Sequence, residues 1–241
     1  MIKKNQNSPV STKTITDEKN QTQQKIKFEK PLFQKGGTYF HAGAIIGRKN
    51  VFVTNEYIDL VVNAIKSAEL KMDIKNLAYV VMPNFFYWMF RLSGKNDNPV
   101  KIYGEVKKQV ASEIINNLKE EVKQGGYRMA EIFQKNDRIG RSKPEKILWT
   151  FEEYAKDFKN NKRYRIWAPK SQIRLLDSEQ LIQEKLEIIM KAPCSERWQL
   201  ASEPGKYPYF YVADELVESG DMVQQIIENF QPVLPTAQLA V

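Results

Sequence analysis

The segment Arg163-Tyr164-Arg165-Ile166-Trp167 interleaves cations with aromatic rings. That pairing suits a polyanion, because guanidinium groups neutralise phosphates and release counterions while rings stack on bases. Further candidates for phosphate contact are Lys107 and Lys108 in one segment, and Arg138, Arg141, Lys143, Lys159 and Lys162 in another. Charge is unevenly placed along the chain. Residues 135–174 carry 12 basic and 5 acidic groups, net +7, whereas residues 175–241 carry 4 and 11, net −7. A focused basic stretch is the footprint of a nucleic-acid partner. A solvated face that aids solubility accounts for the charge alone equally well. The acidic part reads as solvated helix surface.

Metal and nucleophile chemistry have little to draw on. The chain has one histidine, His41, and one cysteine, Cys194. One imidazole rules out a two-histidine metal site, and the carboxylates Asp97 and Glu105 are not selected by any ligand spacing. His41, in a β-prone segment without a partner ligand, reads as structural. Cys194 follows Pro193, has no histidine nearby and reads as inert. A lone cysteine forms no internal disulfide, which suits a reducing compartment. No apolar run approaches the ~18 residues of a membrane span, and the N-terminal residues lack the apolar stretch of a secretory signal. The expectation is a cytoplasmic protein without membrane contact.

The elements that must position these groups follow from pattern. Residues 1–34, rich in Gln, Asn, Thr and Lys, read as a disordered basic tail. TYFHAGAII (Thr38–Ile46) reads as a strand, and Thr54 caps a helix to about Leu70 with Tyr57, Val61, Ile65 and Ala68 on one face. LAYVVM and FFYWMFRL flank Pro83-Asn84 as a hairpin. Along its second strand Phe85, Tyr87 and Met89 share one face, and Phe86, Trp88 and Phe90 the other. Asn98-Pro99 opens a long helix to about Lys123, stopped by Gly125-Gly126. Residues 127–162 read as helical pieces around a basic loop, Arg163–Trp167 as a short strand, and Asp177 with Gln180 as a capping box for a helix to about Lys191. A last helix is expected near 214–230. Strand, helix, strand, strand, helix predicts an α+β, ferredoxin-like sandwich with an antiparallel sheet and a C-terminal helical extension.

Three of these segments resemble one family. VVMPNFFYWMFRL (Val80–Leu92) is similar to the Met-Pro-Asn-His-x-His strand of HUH-class tyrosine transposases of the insertion-sequence and REP-associated type. Tyr164–Leu200 resembles their C-terminal block: an aromatic-Trp strand, a Leu-x-Ser-x-x-Leu helix start, a Gln-x-Lys-Leu helix and an Asn-Pro turn, here Ala192-Pro193. GGTYFHAGAIIGRKNVF resembles their first strand and Arg-bearing loop, with Arg48 in that place. The resemblance covers about residues 36–215. It implies a transposase-like domain over 35–215, with a ferredoxin-like core at 35–126, helical and strand additions at 127–215, and a C-terminal helix and tail at 216–241.

In that family two histidines at i and i+2 hold a divalent metal that polarises a phosphodiester, and a helix-borne tyrosine attacks it. The matching positions here are Phe85 and Tyr87. Phenylalanine offers no lone pair, and a neutral phenol is a poor ligand for Mg²⁺ or Mn²⁺. On the helix after the hairpin, the family's tyrosine position falls near Gln109, Val110 and Ala111; Tyr103, nearly two turns earlier, is the weak remaining nucleophile candidate. The resemblance therefore implies a DNA-binding relative, for single-stranded or hairpin DNA, with cleavage lost and no cofactor. Its implied nucleic-acid-binding residues are Arg48, Lys107, Lys108, Arg138, Arg141, Lys143, Lys162, Arg163, Arg165 and Trp167. Two alternatives stay open: an active transposase with a rearranged carboxylate metal site and Tyr103 or Tyr87 as nucleophile, and a protein-interaction module on the same fold. Stacking and backbone contacts serve RNA as well as DNA, and a homodimer is compatible with the family.

Overall fold

The computed structural model describes residues 34–94, 98–125, 143–158, 163–169, 172–218 and 221–231. All lie within one unit, Pro31–Val241. The tail expected at 1–34, apart from Gln34, lies outside the described residues, as do Asp97, Arg138, Arg141, Lys159 and Lys162.

In chain order the elements are β1 (Thr38–Ala44), α1 (Asn55–Met72), β2 (Ile74–Met82), β3 (Phe85–Leu92), α2 (Pro99–Lys123), α3 (Pro144–Lys156), β4 (Gln172–Leu176), α4 (Glu179–Lys191), β5 (Phe210–Val212), α5 (Asp214–Glu218) and α6 (Asp221–Glu228). The strands form one antiparallel sheet in the order β4-β1-β3-β2-β5. The first four are ordered as in a ferredoxin-like sandwich, β5 extends the β2 edge, and α4 to α6 make the C-terminal helical extension. None of the helices among the described residues is long and apolar enough to cross a membrane.

Local chemistry sets the boundaries. Thr54 Oγ1 accepts from Tyr57 N to start α1, and Asn98 Oδ1 accepts from Lys101 N, with Pro99 at the first turn, to start α2. The four residues expected on the inner face of α1 are all buried, together with Ile58 and Ala64. Pro83-Asn84 does more than turn the chain. The Pro83 carbonyl accepts from both Val51 N and Phe52 N at 2.9 Å. Asn84 Nδ2 donates to Arg48 O and to Asn50 Oδ1, and Asn84 O accepts from Ile45 N. The hairpin tip is thus clamped to the loop that follows β1.

The two sheet faces carry different cargo. On one, Phe86, Trp88, His41 and Tyr39 meet α1 and α2: Trp88 Nε1 donates to Asn76 Oδ1, and Asn76 Nδ2 donates to Glu69 Oε2 and Ile65 O on α1. That chain satisfies polar groups in a core where each unpaired one would cost about 1–3 kcal/mol. On the other face Phe85, Tyr87 and Phe40 meet α4 and the segment after it. Phe85 lies 6.0 Å from Trp198, Phe40 lies 5.4 Å from Tyr87, and Lys185 of α4 reaches over Phe40.

Several expectations need correction. Arg163–Trp167 is no strand; it makes a single bridge, Ile45 with Trp167, while Ala168 N donates to Ala44 O. The strand that flanks β1 is Gln172–Leu176, with Tyr39 opposite Leu175 and His41 opposite Ile173. Edge strands this short owe their pairing to tertiary context more than to local pattern. Ser178, one residue beyond Asp177, caps α4, accepting from Leu181 N. Two short helices, α5 and α6, stand where one was expected.

Candidate nucleic-acid interface

A groove of about 450 Å³ runs between α2 and the segment Tyr164–Pro169. Its α2 wall presents Tyr103, Gly104, Lys107, Lys108 and Ala111, and its other wall includes Tyr164, Arg165 and Trp167. Tyr103, Lys107 and Ala111 recur every four residues and so lie on one side of the helix. Tertiary bonds hold the second wall in place. Trp167 Nε1 donates to the Lys107 carbonyl at 2.8 Å, Arg165 N donates to Phe151 O at 2.9 Å, and Ile46 N donates to Ile166 O at 2.8 Å. Neither Asp nor Glu lines the groove among the described residues.

The groove is cationic and walled by rings. Lys107 Nζ lies 5.5 Å from the Trp167 ring centre and 5.7 Å from that of Tyr103. Burial, and secondarily the Arg165 charge, lower the Lys107 pKa from 10.5 to about 8. The Arg165 guanidinium sits 3.4 Å from the centre of the Phe158 ring, and its buried Nε has no hydrogen-bond partner among the described residues. Two like charges lining one partly desolvated groove are poorly placed for stability and well placed for an anion.

Of the remaining candidates, Arg163 is exposed, pairs with Glu152 at 3.1 Å and lies over Tyr164. Lys108 pairs with Glu105 at 3.6 Å, both well exposed. Lys143 stands exposed at the N-cap of α3. Arg48 is exposed on the loop after β1 and does not line the groove. Lys107, Lys108, Arg165 and Trp167 are therefore brought together; Arg48 and Lys143 are not part of that wall.

Phe85 and Tyr87 sit on the opposite side of the sheet from this groove. Their rings lie 4.7 Å apart, and burial pushes the Tyr87 phenol pKa up. Tyr103 is separated from them by the sheet: it stacks on His41 at 4.5 Å, and His41 in turn meets the edge of Phe86. The candidate nucleophile and the Phe85/Tyr87 pair therefore share no site. The reason is topological, since both ferredoxin-like crossover helices fall on one face. The helix that does cover Phe85 and Tyr87 is α4, whose sequence, EQLIQEKLEIIMK, has no tyrosine.

No protein-family model matches the chain, and no curated protein matches it. A solved structure does: a REP-associated tyrosine transposase bound to a REP hairpin, 15% identical, with a TM-score of 0.51, covering 86% of this chain and 94% of that one. The chain has the fold of a tyrosine transposase. At that identity the likeness extends to architecture alone.

The divalent metal that this fold family implies does not fit the residues present. At the two positions where ligands are expected, one ring has no lone pair and the other is a phenol, a poor ligand when neutral, whose pKa burial pushes further up. Among the described residues no three His, Cys, Asp or Glu side chains converge to hold an ion. Glu105 lies on α2, on the far side of the sheet from Tyr87. Sequence reasoning missed Gly104 and Ala111 as parts of the groove, and Phe158 as the ring beneath Arg165. Gly104 left a signal: a glycine inside a 25-residue helix costs about 1 kcal/mol relative to alanine. Here a Cβ would meet nothing within 4 Å, so the glycine opens space beside Lys107.

Proposed function

We propose that the protein binds DNA as a single strand or hairpin and that the metal-and-tyrosine cleavage of the transposases it resembles is lost in it. The groove carries the binding reading: two closely placed cations, Lys107 and Arg165, bordered by Trp167 and Tyr103 in a wall without acids among the described residues. Phosphate neutralisation and ring contacts are the means by which proteins hold unpaired strands. The solved structure of like fold is bound to a REP hairpin, which supports a hairpin as the ligand class. Loss of cleavage is supported by the donor chemistry at Phe85 and Tyr87 and by an α4 without tyrosine.

Fluorescence anisotropy with a labelled hairpin that carries an unpaired tail tests the binding. Affinity is expected at low salt and should fall steeply, by an order of magnitude or more, as salt rises from about 50 to 200 mM. Absence of binding at low salt refutes the reading. Incubation with single-stranded DNA and Mn²⁺, followed by denaturing electrophoresis, tests the chemistry. No covalent protein–DNA adduct is expected, and an adduct would show that cleavage persists.

A further inference from the structure

We infer that the groove between α2 and Tyr164–Pro169 takes one unpaired nucleotide, with its phosphate held between the Lys107 ammonium and the Arg165 guanidinium. The inference rests on the DNA-binding reading above and narrows it to the single-stranded part of the ligand. Three observations carry it. First, the charge is set inside the groove rather than on its rim: Lys107 is half-buried against two rings, and Arg165 lies over Phe158 with a buried Nε that has no partner among the described residues. A phosphate oxygen offers that N–H an acceptor and offsets the repulsion between the two cations.

Second, the size is right for one nucleotide. About 450 Å³ falls in the range of sites for small ligands, roughly 300–1,000 Å³. A base inside a duplex is stacked and paired and cannot enter such a groove unless it is taken out of the stack. Third, the α2 wall is cleared for an occupant: Gly104 leaves open space where any side chain would project, and Ala111 stands one turn beyond Lys107 on the same side. The Tyr103 and Trp167 side chains line this space, so a base carried in with the phosphate has aromatic groups to meet.

Two arms test this on the full chain. In the first, lysines are labelled by reductive ¹³C-methylation, and Lys107 is assigned by its absence in Lys107→Arg. Titration with deoxythymidine monophosphate should raise the Lys107 midpoint from about 8 by about one unit, a tenfold preference for the charged form. Inorganic phosphate should do the same at about tenfold higher concentration, because it lacks a base to stack. The inference is overturned by an unmoved midpoint, and equally by identical potency of the two probes.

In the second arm, Lys107→Met and Arg165→Gln are compared on a hairpin with an unpaired tail and on the same stem without one. Each substitution should cost the tailed ligand about tenfold more than the blunt stem. Equal losses on both ligands would mean that the groove serves paired DNA, against the inference. Gly104→Leu, which fills the space and keeps both charges, should reproduce the selective loss if either charge variant fails to fold. If wild type binds neither hairpin, the DNA reading fails, and the nucleotide titration still decides the pocket.

Discussion

Lys107 and Trp167 grip each other twice: the indole Nε1 donates to the lysine's backbone carbonyl at 2.8 Å, and the lysine's Nζ lies 5.5 Å from the indole ring centre. The first contact fixes where the segment after α3 lies against α2. The second gives a half-buried ammonium part of the stabilisation that lost water would have supplied, about 0.5–2 kcal/mol. Geometry and electrostatics of the groove are thereby coupled through one residue pair.

Lys107 should cost the fold stability. Its folded pKa, about 8, lies below the ordinary 10.5, so between those values the unfolded chain binds more protons and stability rises with pH. Arg165 faces it across the groove, with Tyr103 and Lys108 on its own helix and Tyr164 opposite. Lys107→Met should raise stability at pH 7 by about 1–2 kcal/mol, less than the full shift because the group is partly exposed. The gain should be largest below pH 8 and should shrink toward pH 10.5 in chemical denaturation. A destabilised variant at pH 7 would contradict this.

Two imidazoles placed on β3 should confer metal affinity without chemistry. Phe85→His with Tyr87→His places two nitrogens on one face of β3, and Mn²⁺ should then raise Tm in the double variant but not in wild type. Lost packing against Trp198 and Phe40 should cost about 2–4 kcal/mol in the absence of metal. No covalent DNA adduct should form, because α4 brings no tyrosine to that face. Detection of an adduct on a denaturing gel would show that another tyrosine reaches it.

Asn84 should matter although it does no chemistry. Asn84→Ala removes the donations to Arg48 O and Asn50 Oδ1 at a buried turn, with an expected loss of about 1–3 kcal/mol by urea denaturation. An unchanged midpoint would mean that the Pro83 carbonyl bonds alone hold the clamp.

Gly43 and Phe86 should be energetically coupled. A Cβ at Gly43 would fall 2.5 Å from the Phe86 ring, and Phe86 is fully buried with Trp167 and His41 against it. Gly43→Ala should cost about 1–3 kcal/mol and distinctly less in a Phe86→Leu background. A double-mutant cycle should give a coupling of about 1 kcal/mol or more; strict additivity would place the cost elsewhere.

The long elements were legible because each carries its own signals. Thr54 and Asn98 cap the helices where they were expected to, and the alternation along β3 sorts its side chains onto the two faces that the contacts confirm. β4 and β5 were not legible. Gln172–Leu176 and Phe210–Val212 are short edge strands, whose pairing comes from β1 and β2 rather than from any periodicity of their own. Arg163–Trp167 carries a strand-like pattern and is held instead by bonds to α2 and α3. In the groove, the cation and ring types were readable, but the separation of Tyr103 from Tyr87 by the sheet was not. It follows from the crossover geometry, which no spacing along α2 records.

Among the described residues, the outer edge of β1 is closed by β4, with one further bond from Ala168 N to Ala44 O at its end, and β4 arrives after an excursion of the chain from Leu92 to Gln172. During synthesis, everything up to α3 therefore leaves the ribosome with one row of peptide groups still open. A product terminated in that interval would present the β1 edge to any neighbouring strand and would be prone to self-association. Two whole molecules that traded their β4 segments would satisfy the same row reciprocally, giving an exchanged dimer without any new contact chemistry.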